Sequence, residues 1–241
     1  MEFRAVFFDA AGTLIRPARP VGEIYAAAAR RYGVEAPARE IDRRFRVCFE
    51  EAPPLAFPGA APSERSGRAR SWWRTLVARV FEPWAPFDAF DRCFTELFDY
   101  YGSAEAWTLY PEVPETLAAL RGRGLTLAVI SNFDSRLHGV LRGLGVAPYL
   151  ENVYVSAEVG YAKPAPEIFA AALEAHGLEP RSAVHVGDSE ENDLAGAVQA
   201  GLAGVLVDRR TDGSAAPVAG GTRIHSLREL LPLLDRGANS G

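Results

Sequence analysis

Asp9, Ser131, Lys163, Asp188 and Asp193 are the side chains whose types and settings could carry chemistry in this chain. Asp9 ends the apolar run Phe3 to Phe8 and opens Asp9-Ala10-Ala11-Gly12-Thr13-Leu14, a glycine turn at the end of a buried strand. In open parallel α/β sheets the C-terminal strand ends are where ligands bind. A carboxylate in that position can be a nucleophile forming an acyl-phosphate or ester, a Mg²⁺ ligand, or a turn residue, since Asp and Gly favour turns on backbone grounds. Ser131 follows the apolar run Leu125 to Ile130. Asp188 breaks the run Ala183 to Val186, with Asp193 five residues on, and Lys163 lies in the loop Gly160-Tyr161-Ala162-Lys163-Pro164.

Lys163 stands out by composition. Of the 26 Lys and Arg residues it is the single lysine. A chain that otherwise uses guanidinium for every cation has kept one compact ammonium, and that marks a position where a planar fork would not fit. The four histidines form no ligand cluster, and His185, inside a buried strand, reads as a satisfied core residue.

The elements that must position these groups alternate. After Trp107 a helix to Leu120 leads to the strand Leu125 to Ile130, and a further helix ends at Gly143. Strand Asn152 to Ser156, helix Glu167 to His176, strand Ala183 to Val186, helix Glu190 to Ala200 and strand Gly204 to Val207 follow. A polar loop is expected over 209–221, a last helix from Leu227 to Leu234, and a frayed tail over 237–241. This alternation predicts a doubly wound parallel α/β sheet. Residues 16–107 read differently. Glu23 to Tyr32, Glu40 to Phe49, Trp72 to Phe81 and Ala89 to Tyr101 have helical periodicity, Ala52 to Gly67 reads as a Pro-rich loop, and no strand is expected. The expected organisation is a core of residues 1–15 and 108–241 with an inserted helical-bundle cap, 16–107, whose four tryptophans read as core and interface aromatics, with a pocket-facing position for at least one as the alternative.

Composition excludes several classes. A net charge of −5 argues against nucleic-acid binding, and no apolar run is long enough to span a membrane. Cys48 and Cys93 lack metal-type spacing and read as reduced thiols of a cytoplasmic protein. The N-terminal residues are unlike a signal peptide.

Taken in order, Asp9 to Leu14, Ser131-Asn132, Gly160 to Pro164 and Gly187-Asp188-Ser189-Glu190-Glu191-Asn192-Asp193 resemble the four motifs of the haloacid dehalogenase superfamily, and the likeness covers the whole chain. The insertion is similar to the cap of its first subclass, and Ser-Asn-Phe-Asp-Ser-Arg-Leu resembles the branch containing a rhythmically expressed insect gene product. The resemblance implies a hydrolase acting on a small phosphorylated or other anionic molecule through a covalent intermediate on Asp9. It implies Mg²⁺ held by Asp9, the Ala11 carbonyl, Asp188 and Asp193, catalytic roles for Ser131 and Lys163, and substrate contacts for Thr13 and Asn132.

One position departs from the pattern. Phosphatases of this superfamily carry a second Asp, the general acid and base, where this chain has Ala11. Haloacid dehalogenases lack that Asp too, but they use no metal and have no acidic fourth motif. Phosphonoacetaldehyde hydrolases need a cap lysine, which this cap lacks. A weakly active binding protein on the same fold is the remaining alternative.

Overall fold

A computed structural model describes residues 3–209 and 216–238. Its main sheet has seven strands in the order β5-β4-β1-β6-β7-β9-β8. These are β1 (Ala5–Phe8), β4 (Thr126–Ser131), β5 (Asn152–Val155), β6 (Ala183–Gly187), β7 (Ala203–Val207), β8 (Ala216–Val218) and β9 (Gly221–Ile224). All neighbours pair in parallel except β8 with β9.

β1 is central because both its faces are apolar. Val6 and Phe8 point into one cluster with Leu117 and Leu120 of α5 (Val113–Gly122), Leu137 and Val140 of α6 (Arg136–Gly143), and Leu230 of α10 (Leu230–Ala238). Ala5 and Phe7 point into the other, with Ile168 and Phe169 of α8 (Pro166–His176) and Ala197 of α9 (Gly196–Gln199). Phe7 and Phe8 are both fully buried, each contributing about 1.5–3 kcal/mol by removal from water.

Register then fixes where the polar groups fall. Phe8 lies opposite Val129 of β4 and Val186 of β6. Asp9, Ser131 and Asp188 therefore emerge within two residues of one another along the same sheet edge. The strand order reverses between β1 and β6, so this edge is also the topological switch point.

Helices α1 (Val21–Arg31), α2 (Ala38–Glu50), α3 (Pro62–Phe81) and α4 (Phe90–Tyr101) lie between β1 and β4 in sequence and share their own apolar cluster around Tyr25, Ile41, Leu76, Phe81 and Leu97. They are entered and left through a two-stranded antiparallel ribbon, β2 (Ile15–Pro17) with β3 (Trp107–Leu109). This ribbon corrects the expectation of no strand over 16–107. Three residues with a proline at one end carry no usable periodicity, and the pairing is long-range.

Other boundaries also differ. The loop expected over 52–67 ends early, because Pro62 opens α3, a position where its missing N–H costs nothing. Within the expected loop 209–221, residues 210–215 lie outside the described residues, while β8 and the first residue of β9 form an unforeseen hairpin edge. The segment after Asp188 begins as a π-helical turn, Glu190–Ala195, before α9. The last helix runs on through Gly237 to Ala238, and the remainder of the expected tail lies outside the described residues. A short helix α7 (Ser156–Val159) caps β5.

Candidate active site

Asp9 is 7% exposed, and its Oδ1 accepts hydrogen bonds from Ser131 Oγ at 3.0 Å and Lys163 Nζ at 2.8 Å. Its Oδ2 takes part in neither bond. Lys163, 4% exposed, also donates to Asp193 Oδ1 at 2.5 Å. The ammonium thus bridges two carboxylates from opposite ends of the motif set, a point contact that a planar guanidinium could not make in the same space.

The loop carrying Lys163 is held from behind by Asn132. The lysine N–H donates to Asn132 Oδ1 at 2.8 Å, and Asn132 Nδ2 donates to the lysine carbonyl at 2.9 Å. Asn132, expected to meet substrate, is engaged here as a two-point clamp on Lys163. Thr13 is fully buried and its hydroxyl has no partner among the described residues.

Asp193 is anchored by three donors. Besides Lys163, its Oδ1 is 2.9 Å from His185 Nε2, and its Oδ2 accepts from the Ser189 N–H at 3.0 Å. Burial pushes the His185 imidazole down, so the ring is neutral, and an ionised carboxylate can only accept. The proton therefore sits on Nε2 and is donated to Asp193. His185 is thus a buried core residue, as expected, and its Nε2 ties it to Asp193. Its sequence setting hid this because the partner lies eight residues away, across a strand end.

Carboxylate oxygens of Asp9, Asp188 and Asp193 all lie within 4.8 Å of one another. Desolvation raises the Asp9 carboxyl against the pull of Lys163. Asp188 keeps a solvent-facing edge, yet desolvation by the surrounding loops, followed by repulsion from Asp9 and Asp193, lifts it to about 7. Asp193 is held well below the usual range because Lys163 and His185 outweigh its burial. With all three carboxylates ionised, as a bound cation would favour, they and the one ammonium would leave two uncompensated negative charges, the charge of one divalent cation.

The local backbone is built for this crowding. Gly12 has φ +96°, and a Cβ there would stand 2.3 Å from the Asp188 carboxylate. A Cβ on Gly187 would stand 2.1 Å from the Asp193 carboxyl carbon. Among the described residues the Ala10 and Ala11 amides donate to no backbone carbonyl, and the Ala11 carbonyl accepts no backbone bond. These are free donors and a free hard acceptor beside Asp9.

A second feature, Asp134, escaped sequence reasoning. Only 2% exposed, it accepts from Trp73 Nε1 of α3 at 2.7 Å and from Arg136 at 2.7 and 2.8 Å, while Arg136 donates to the Phe98 carbonyl at 2.7 Å. A partly open cavity of about 50 Å³ is lined by Tyr25, Trp73, Leu97 and Phe98 of the inserted helices together with Phe133 and the same Arg136. A contact between elements 61 residues apart has no local signature.

The sheet with its switch-point carboxylates, and the helices inserted after the first strand, define an α/β protein with an acidic site at the C-terminal strand ends. The family profile of haloacid dehalogenase-like hydrolases matches residues 3–201, and the chain belongs to that family. It is 35% identical over 240 residues to the haloacid dehalogenase-like hydrolase domain-containing protein 3 of Mus musculus, covering 98% of this chain and 95% of the relative. It is 33% identical over 220 residues to a phosphoserine phosphatase of Thermus thermophilus, covering 83% and 87%. Among solved structures, a 2-haloacid dehalogenase from Pseudomonas syringae superposes with a TM-score of 0.65 at 26% identity, over 98% of this chain and 99% of that one. No described helix is long and apolar enough to cross a membrane.

Proposed function

We propose that the protein is a Mg²⁺-dependent phosphatase acting on a small phosphorylated metabolite through an aspartyl-phosphate on Asp9, with the helices of 16–107 serving as its cap. The observation that carries this reading is the crowded carboxylate trio. Displacing halide from a monoanionic substrate requires a nucleophile and a cation, which Asp9 and Lys163 supply, whereas a phosphate dianion calls for a further cation, for which the three grouped carboxylates offer ligands.

The donor set fits the metal. Mg²⁺ takes oxygen ligands at 2.0–2.1 Å, so ligands on opposite sides stand about 4 Å apart. Asp9, Asp188 and the Ala11 carbonyl would hold it, with Asp193, already saturated by Lys163, His185 and Ser189, supporting from behind. When bound, the ion supplies the positive charge that lets a phosphate dianion approach a carboxylate.

The chain's own residues do the rest. Asp9 Oδ2 attacks phosphorus, the bond from phosphorus to the ester oxygen breaks, and the leaving oxygen takes a proton from water. Water then attacks the aspartyl-phosphate, releasing inorganic phosphate and regenerating the carboxylate. Ser131, Lys163 and the Ala10 and Ala11 amides would hold phosphoryl oxygens. Phosphate release from a panel of monoesters, abolished by a chelator and weakened by Asp188→Ala, is the expected result. Chelator-resistant halide release from a 2-haloacid would establish the dehalogenase reading instead.

Ala11 has a kinetic consequence under this reading. Without an acid at that position alkoxides leave slowly while p-nitrophenolate leaves unaided, and water in the second step is unactivated. Rapid-quench assays with the aryl ester should show a burst approaching one equivalent per site. Ala11→Asp should shorten the burst and raise alkyl ester turnover by roughly ten-fold or more, toward the lower part of the general acid–base range. No burst together with efficient alkyl ester turnover in the wild type would mean that another group delivers the proton.

A further inference from the structure

Arg209, two residues beyond β7, grips the nucleophile loop from outside. Its Nε donates to the Gly12 carbonyl at 3.2 Å and one terminal nitrogen to the Thr13 carbonyl at 2.7 Å. The other terminal nitrogen meets Glu112 Oε1 at 2.5 Å, and the guanidinium lies 3.6 Å from the centre of the Tyr110 ring. Glu112 is 5% exposed. Burial, the largest single effect, would raise its carboxyl, but the bond and charge of Arg209 together with backbone hydrogen bonds from Glu112 and Leu227 outweigh it and hold the group below the usual range. With its charge matched by Glu112, Arg209 adds little net field to the site, so its contribution is geometric.

The two carbonyls it holds belong to the peptide units on either side of the Thr13 Cα. Fixing both planes fixes the direction of the Thr13 side chain, whose buried hydroxyl has no partner among the described residues. Fixing the Gly12 carbonyl also keeps the glycine face against Asp188, where no Cβ could stand. We propose that Arg209 is a positioning residue for hydrolysis: it sets the direction of the Thr13 side chain and holds the Gly12 backbone against Asp188 in the loop that follows Asp9. A lysine could not replace it, since one ammonium cannot span two carbonyls and a carboxylate while stacking on a ring.

The kinetic arm of the test rests on the phosphatase reading; the exchange arm does not. With p-nitrophenyl phosphate and Mg²⁺, Arg209→Lys should lower kcat by about 10- to 100-fold with KM little changed, the scale of a small misplacement of reacting groups. Glu112→Gln leaves the carbonyl grip intact and should stay within about three-fold of wild type. Adding Thr13→Val to Arg209→Lys should cost little more, because both act through the same hydroxyl. Hydrogen exchange at the Thr13 and Leu14 amides, measured without substrate, should quicken in Arg209→Lys and not in Glu112→Gln. Should Arg209→Lys fail to fold, Thr13→Val alone decides, with a kcat loss of about ten-fold expected in a protein of unchanged melting temperature. Wild-type kcat in either folded variant, equal losses in Arg209→Lys and Glu112→Gln, or unchanged exchange would overturn the proposal. A wild type that hydrolyses no phosphate ester but shows the exchange difference would overturn the phosphatase reading and keep the clamp.

Discussion

Asp9→Asn should abolish hydrolysis, with turnover at least about 10⁴-fold below wild type, the scale seen when a covalent nucleophile is removed. The fold should be untouched. An amide at position 9 can still accept from Ser131 Oγ, and Lys163 keeps its 2.5 Å partner in Asp193, so no buried cation is stranded. Removing one of three mutually repelling carboxylates also relieves the metal-free site, so the melting temperature without Mg²⁺ should hold or rise. Circular dichroism and a chelated thermal melt, run beside the assay, separate this from unfolding. Turnover equal to wild type would show that the covalent bond forms elsewhere.

Lys163→Arg should fail nearly as badly as Lys163→Ala, both on the order of 10²–10³-fold below wild type, the loss typical for a charge-stabilising donor. The reason is shape. Lys163 Nζ sits between two carboxylate oxygens at 2.8 and 2.5 Å in a site where its side chain is 2% exposed. A guanidinium is wider and presents its donors in a fixed fork, so it would have to push Asp9 or Asp193 aside. Steady-state kinetics on the two variants decides the matter, and full activity in the arginine variant would reduce the single lysine to an accident of composition.

The sheet was readable from the sequence where a strand is a continuous apolar run ended by a glycine or a polar group. Phe3 to Phe8, Leu125 to Ile130 and Ala183 to Val186 each combine burial on both faces with a sharp stop, and the candidate residues Asp9, Ser131 and Asp188 stand at those stops. Lys163 was readable by exclusion, as the one ammonium in an arginine-rich chain. The β2–β3 ribbon, the β8–β9 edge and the early start of α3 were not, because short pairings and a proline at a helix start leave no periodic trace. Asp134 and Arg209 were missed, and the Asp193 partner of His185 was not foreseen, for a different reason. Each contact, to Trp73, to Asp193 and to the Gly12 and Thr13 carbonyls, is brought in by tertiary folding, and no local pattern reports it.

The solitary buried lysine also makes the protein its own chemical reporter. An amine-directed reagent finds only the terminal amine and Lys163, and the latter is shielded between two carboxylates. Hydrogen bonding and ion pairing to Asp193 and Asp9 outweigh burial and raise the Lys163 ammonium, keeping it protonated and unreactive while those contacts last. Acylation detected on the peptide containing Lys163 would therefore time the moments when Nζ leaves its carboxylates, giving a clock for site opening that needs neither a substrate nor an engineered label.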